Sequence, residues 1–233
     1  MATHQSHDEY GADEKIEDLL CEGLKLIVRR DGFHYGTDSV LLANYVRAGY
    51  GDKIVELCSG VGAVSVLLSA KTRAASITGI EIDESLTMLA NRSAAMNNIG
   101  DRVKFINGDI RKIRGIMRAG SASVVVSNPP YLTRGSGTGS PDAGLDAARR
   151  EIYCELADVT SAARWLLGQG GLFYIVYRMD RLVDLFCEMR NSGIEPKEIQ
   201  PAGAAIDRSP AIVLVRGKKG ASPGLKYCVK TKP

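Results

Sequence analysis

From Lys53 onward, short runs of β-branched residues alternate with longer stretches of three- and four-residue periodicity, and this alternation leaves few architectures open. Apolar runs without polar alternation are strands buried on both faces, and strands separated by helix-length segments pair in parallel. Strands are expected at 53–57, 76–82, 103–107, 123–127 and 172–177, with helices filling the gaps. The clearest helix spans 84–98, where Leu86, Leu89, Ala90 and Ala94 share one face and Asp83 is placed to cap the amino end. After a helix at 181–191, segments 197–202 and 211–216 are expected to close one sheet edge as a strand pair.

Ahead of the sheet, 24–29 and 33–35 flank Arg30-Asp31-Gly32 and read as a hairpin, after which Thr37 caps a helix over 39–47. A chain of 233 residues with 45% hydrophobic content can bury one substantial core but is short for two domains. The expected division is a flexible leader (1–14), a lead-in hairpin and helix (15–50), an α/β domain (51–220) and a basic tail (221–233). Low complexity is confined to the Gly/Ser stretch 135–140.

Several classes are disfavoured. Cys21, Cys58, Cys154, Cys187 and Cys228 lie far apart without a Cys-x-x-Cys pair, so neither a zinc site nor a disulfide framework is expected, and no metal. No apolar run approaches the ~20 residues of a membrane span, and Met1 to Asp13 lacks the apolar stretch of a secretory signal. A soluble, cytoplasmic protein is expected, and a monomer is favoured. The net charge of +3 permits a nucleic-acid partner without requiring one, and Arg29, Arg30, Arg111, Lys112, Arg114, Arg118, Lys218, Lys219, Lys226 and Lys230 are candidate phosphate contacts.

Val55-Glu56-Leu57-Cys58-Ser59-Gly60-Val61-Gly62 ends the first strand of the sheet and turns into a helix, with glycines where a ligand must approach backbone. A dinucleotide fingerprint needs a third glycine, and Ser65 stands there, which disfavours nicotinamide. Glu56 would repel a pyrophosphate but attract an ammonium, and S-adenosylmethionine carries one. Glu81 closes the second strand, where a carboxylate accepts ribose hydroxyls. Asp109 ends the third and can accept from an adenine amino group. Each acid alone is equally a capped or solvated strand end; three in succession on one rim make a nucleoside site.

Asn128-Pro129-Pro130-Tyr131 follows an apolar strand onto the same rim. A conjugated amino nitrogen is a poor nucleophile because its lone pair is delocalised. The Asn128 side-chain oxygen and the Pro129 carbonyl can each accept one of its protons, favouring a lone pair aimed at a methyl carbon. Prolines fix that carbonyl, and Tyr131 offers a face for a flipped base.

These residues resemble the class I Rossmann-like methyltransferases of amino groups, a set that includes adenine-N6 enzymes and glutamine-N5 methyltransferases of release factors. Within it the chain is most similar to the tRNA(Val) adenosine-37 N6-methyltransferase family. The likeness is carried by Phe33-His34-Tyr35-Gly36-Thr37-Asp38-Ser39-Val40-Leu41-Leu42, by Ala148-Arg149-Arg150-Glu151, and by the closing segment from Arg208 to Gly220. Cys58 departs from the family's usual glycine. The resemblance implies an α/β fold: a single class I methyltransferase domain, its mostly parallel sheet covered by helices on both faces, preceded by a short hairpin and helix. It implies cofactor contacts at Tyr35, Thr37, Asp38, Glu56, Cys58, Gly60, Gly62, Glu81, Ile82, Asp109, Ile110 and Asn128. Asn128, Pro129 and Tyr131 would be catalytic, and Pro130, Tyr131 and Arg149 would contact substrate. The expected activity is methyl transfer to N6 of an adenine in tRNA, position 37 of valine tRNA foremost. Glutamine-N5 methylation of a release factor is the nearest rival, disfavoured because the 52 residues ahead of Lys53 read as hairpin and short helix rather than a helical substrate module. Methylation of rRNA at adenine N6 or guanine N2, and a non-catalytic RNA-binding module, stand further off.

Overall fold

In the computed structural model, residues 11–32, 35–130, 154–202 and 210–228 are described. Their elements are β1 (Glu14–Asp18), β2 (Lys25–Arg29), α1 (Thr37–Tyr45), β3 (Lys53–Leu57), α2 (Ala63–Lys71), β4 (Ser76–Glu81), α3 (Glu84–Met96), β5 (Val103–Asn107), α4 (Ile113–Ile116), β6 (Ala122–Ser127), α5 (Leu156–Leu166), β7 (Leu167–Arg178), α6 (Leu182–Asn191), β8 (Ile194–Ala202), β9 (Ile212–Lys219) and β10 (Lys226–Tyr227). Strands β3 to β10 form one sheet in the order β10-β8-β9-β7-β6-β3-β4-β5. All neighbours pair in parallel except β9, which runs antiparallel between β7 and β8.

Successive side chains on a strand point to opposite faces, and here both faces are covered. Ile54, Val124, Val126, Tyr174 and Val176 pack beneath α1, α2, α3 and the hairpin. Val55, Leu57, Val125, Phe173 and Ile175 pack against α5 and α6. That two-sided burial explains the unbroken apolar runs in β3 and β6, and the expected Rossmann-like α/β class is borne out.

The lead-in hairpin is paired differently from expectation. Residues 25–29 pair with β1 upstream, not with 33–35 downstream; the register runs from Glu14 opposite Arg29 to Asp18 opposite Lys25. The turn between them uses left-handed backbone at Leu20, Glu22 and Gly23. The segment 14–18 carries four charged residues around Ile16, so hydrophobic alternation could not reveal it. Phe33 lies outside the described residues, and Tyr35 is not in a strand. Ser93 and Asn97 of α3 fasten the hairpin: the Ile27 amide donates to Ser93 Oγ (2.9 Å), and Asn97 bonds both the amide and the carbonyl of Lys25 (2.9 and 2.6 Å).

Thr37 is the first residue of α1 rather than its cap. Gly36 holds the cap position with extended backbone and no side-chain bond, while Asp38 Oδ1 accepts from the Ser39 amide (2.9 Å). Asp83 does cap α3, accepting from the amides of Ser85 and Leu86. Part of the expected basic tail joins the sheet as β10, beside β8.

Gly79, inside β4, lies where β3 hands over to α2. A Cβ there would sit 2.4 Å from Phe105 Cδ1 and 2.9 Å from Ser59 Cβ. Gly79→Ala is therefore expected to lower stability by about 1–3 kcal/mol, whereas Gly100→Ala, with open space around it, should change it by less than ~0.5 kcal/mol. Urea denaturation midpoints of the two variants check this; equal midpoints would refute the packing account.

Candidate active site

The parallel strands end on one rim, and their register sets its layout. Leu57 pairs with Ile80 on one side and Ser127 on the other, so Cys58, Glu81 and Asn128 stand level, one residue beyond. Glu81 pairs with Asn107, which carries the line to β5. Asn107 Nδ2 donates to the carbonyls of Glu81 (3.1 Å) and Ile82 (2.9 Å), holding the two strand ends together.

Between β3 and α2 the chain turns through left-handed backbone at Cys58 (φ 59°), Gly60 (φ 55°) and Gly62 (φ 85°). Gly62 is required twice over: its φ favours glycine, and a Cβ would lie 2.5 Å from Phe105 Cζ. Glu81 braces the turn. Its Oε2 accepts from the Gly60 amide (2.8 Å) and its Oε1 from the Asp83 amide (3.0 Å). Burial raises the Glu81 pKa against those two bonds.

Glu56 is 1% exposed. Its Oε2 accepts from the Ser65 amide (3.0 Å) and the Ser65 hydroxyl (2.5 Å). Burial pushes its pKa up to about 8, with the Ser65 bonds pulling downward and the Glu81 charge adding to the rise. Ser65 occupies the position where a dinucleotide fingerprint has its third glycine, and a glycine could not make the hydroxyl bond. In the sequence pattern Ser65 is only a departure from the fingerprint, and its bonds to Glu56 are visible in the fold alone.

Asp109 caps the short turn before α4, and its carboxylate receives the Arg111 guanidinium through three contacts of 2.7 to 3.0 Å. The Arg111 side chain holds the Asp109 pKa below the usual carboxylate range. An adenine amino group at Asp109 would share it with Arg111. Ile82 is exposed on the rim, and Ile110, next in sequence to Asp109, is buried.

On the other side of the turn, Asn128 Nδ2 donates to Ser39 Oγ (3.0 Å), so α1 orients the amide. Ser39 is not among the expected site residues; its place inside the Thr37-Asp38-Ser39 stretch is the one signal the sequence offers. Pro129 is buried and Pro130 half-buried. The Tyr35 hydroxyl donates to the Asp18 carbonyl (3.4 Å), turned toward the hairpin, and burial raises its pKa. Thr37 is exposed at the start of α1 and Asp38 half-buried after it. Tyr131 and Arg149 lie outside the described residues. Of the basic candidates, Lys218 and Lys219 sit at the opposite end of the sheet, since Lys218 pairs with Leu172 near the amino end of the parallel run. Lys219 Nζ donates there to the carbonyls of Arg164 and Leu167.

The site can hold a cation. Residues 58–65 contain no lysine or arginine to receive a pyrophosphate, whereas two buried carboxylates stand at the turn with ionisation opposed by burial. A nearby positive ligand would favour their charged forms. Among the described residues no group of three or more His, Cys, Asp or Glu is arranged to hold a metal, and no helix is long and apolar enough to cross a membrane.

Glycine turn, acid-lined rim and doubly covered parallel sheet define a Rossmann-like nucleoside-binding protein. The chain belongs to the RMKL-like methyltransferase-domain family, whose model matches residues 43–199. It is 30% identical over 199 residues to a tRNA1(Val) (adenine(37)-N6)-methyltransferase of Porphyromonas gingivalis, covering 75% of this chain and 77% of that protein. A protein of the same name from Trichodesmium erythraeum is 26% identical, with 66% and 68% covered. Among solved structures, a predicted O-methyltransferase from Agrobacterium tumefaciens superposes with a TM-score of 0.66 at 19% identity, over 82% of this chain and 85% of that one, a likeness of fold.

The raised Glu56 pKa has a thermodynamic signature. A carboxyl that holds its proton more tightly when folded makes stability fall as pH rises above its ordinary value of 4.5, until the folded pKa of about 8 is passed. Glu56→Gln should remove that fall, so the variant gains on the wild type by up to about 1.4 kcal/mol per pH unit between those limits. Urea unfolding across pH 5 to 8 reads the difference, and parallel curves would contradict it.

Proposed function

We propose that this chain transfers a methyl group from S-adenosylmethionine to the exocyclic N6 of an adenine in tRNA, adenosine 37 of valine tRNA foremost. The observation that carries the proposal is Asn128, held by Ser39 on the same rim level as the glycine turn and Glu81. The names of the curated relatives support the substrate.

Glu81 has lone pairs left for the ribose hydroxyls after accepting from Gly60 and Asp83. Glu56 provides the negative charge behind the turn for the cofactor ammonium, and the backbone of 58–62 offers the close approach. Tyr35, Thr37 and Asp38 lie on the α1 side, Ile82 and Ile110 on the adenine side, and Asp109 beside Arg111 meets the adenine amino group. When bound, S-adenosylmethionine supplies an electrophilic methyl carbon on an already charged sulfonium.

The Asn128 Oδ1 and the Pro129 carbonyl each accept one N6 proton, turning the nitrogen's lone pair out of conjugation. Ser39 fixes which way the amide faces. Pro129 and Pro130 stiffen the backbone that presents the carbonyl. Tyr131 stacks on the flipped base, and Arg149 contacts substrate. The methylated nitrogen is acidic enough to lose its proton to water, so neither a strong base nor a metal is needed. An exposed anticodon loop suits a small domain, because a purine there is splayed out at little unstacking cost. A tRNA substrate supports a cytoplasmic location, and we propose that the protein acts there as a monomer.

Labelled S-adenosylmethionine and unmodified valine tRNA, followed by nucleoside mass spectrometry, should yield N6-methyladenosine. Asn128→Ala should slow methyl transfer by about 10²-fold or more while leaving cofactor affinity within a few-fold. Methylation of a release-factor glutamine with no transfer to tRNA, or equal loss of cofactor binding in the variant, would overturn this reading.

A further inference from the structure

Cys58 lies in the glycine turn, and Cys154 lies 96 residues away, immediately before α5. Their sulfurs are 3.9 Å apart, with the Cys58 thiol donating to Cys154 Sγ. Cys154 in turn donates to the Glu155 carbonyl (3.5 Å). The chain of donors runs one way, from Cys58 through Cys154 into backbone, so the Cys154 sulfur accepts from one thiol and donates to a carbonyl. Hydrogen bonding to Cys154 and burial both work against ionisation of Cys58. Both residues are half-buried. Among the described residues the other three cysteines, Cys21, Cys187 and Cys228, have no second thiol in hydrogen-bond contact, and the Cys228 thiol bonds Glu198 instead.

A disulfide needs the two sulfurs at about 2.05 Å, so closing this pair requires an approach of roughly 2 Å. The ends that must move are unequal. Cys154 adjoins a reciprocal capping box, in which Glu155 and Asp158 bond each other's backbone amides at the start of α5. Cys58 sits in left-handed backbone, a conformation that is strained for a side chain with a Cβ. Any movement of Cys58 toward Cys154 is passed to the turn that carries the Gly60 amide to Glu81.

We propose that Cys58 and Cys154 form a peroxide-sensitive dithiol that closes to a disulfide and lowers the affinity of the turn for S-adenosylmethionine. In the first step the Cys154 sulfur attacks hydrogen peroxide; an S–O bond forms, the O–O bond breaks, and the departing hydroxide leaves as water with the thiol proton. Cys58 sulfur then attacks Cys154 sulfur. The S–S bond forms, the S–O bond breaks, and a second water carries away the Cys58 proton. Two thiols have lost two electrons and one peroxide has gained them. Thiol reductants reverse the bond by exchange.

The effect on affinity rests on the cofactor reading above, and the dithiol does not. Reduced wild-type protein is treated with hydrogen peroxide and mapped by non-reducing peptide mass spectrometry, and cofactor binding is measured by calorimetry before and after. The expected result is a Cys58–Cys154 linked peptide, at least a tenfold loss of S-adenosylmethionine affinity, and recovery with dithiothreitol. Cys154→Ser should bind as the reduced wild type does and hold its affinity within about twofold at the same peroxide dose. Absence of the linked peptide in a sample where exposed Cys187 is oxidised would overturn the proposal, as would a linked peptide with unchanged affinity. Failure of the reduced protein to bind S-adenosylmethionine would instead refute the cofactor reading and, with it, the claimed effect on affinity, while the linked peptide would still establish the dithiol.

Discussion

The site depends on how the chain leaves β3. It must cross over β4 and enter α2 within a few residues, and it does so only because Gly62 and Gly79 leave room for the Phe105 ring between them. Glu81 then fixes the turn through the Gly60 amide. The same carboxylate accepts from Asp83, whose side chain caps α3, so one residue ties the β3 turn to the start of the helix after β4. Parallel register does the rest, bringing Cys58, Glu81 and Asn128 level on the carboxyl-end rim.

That arrangement has an electrostatic cost that shapes its chemistry. Two carboxylates with strongly reduced access to water stand close enough for the charge of Glu81 to raise the pKa of Glu56. Burial disfavours both charges, and hydrogen bonds from Ser65, Gly60 and Asp83 only partly offset it. A cationic ligand relieves the imbalance, and a phosphate would worsen it. Two carboxylates at the turn and the missing third glycine both disfavour a pyrophosphate there, and Ser65 serves Glu56 in a way glycine could not.

Much of this was legible in the sequence, because two-sided burial writes itself as apolar runs and a ligand turn as clustered glycines. Strands 53–57 and 103–107 match the structure, and Asp83 caps α3 as its position implied. The hairpin was misassigned because β1 is mostly charged and is held by Ser93 and Asn97 of a distant helix, contacts that no local pattern encodes. Threonine favours a cap position, which points to Thr37 by residue type, whereas Gly36 takes it. Ser39, Ser65 and the Cys58–Cys154 contact were missed for a related reason: each acts through a partner set by tertiary packing, up to 96 residues away. Asp109 stands at a strand end where the sequence pattern offers an open acceptor, yet Arg111, two residues on, occupies it.

Glu81 is the brace of the turn and the proposed acceptor for the cofactor ribose, and calorimetric titration of S-adenosylmethionine into wild-type and Glu81→Ala protein reads both roles. Wild-type protein should bind, and the variant should lose at least tenfold in affinity while its near-ultraviolet circular dichroism still reports a packed core. Equal affinity in a folded Glu81→Ala protein would contradict the account.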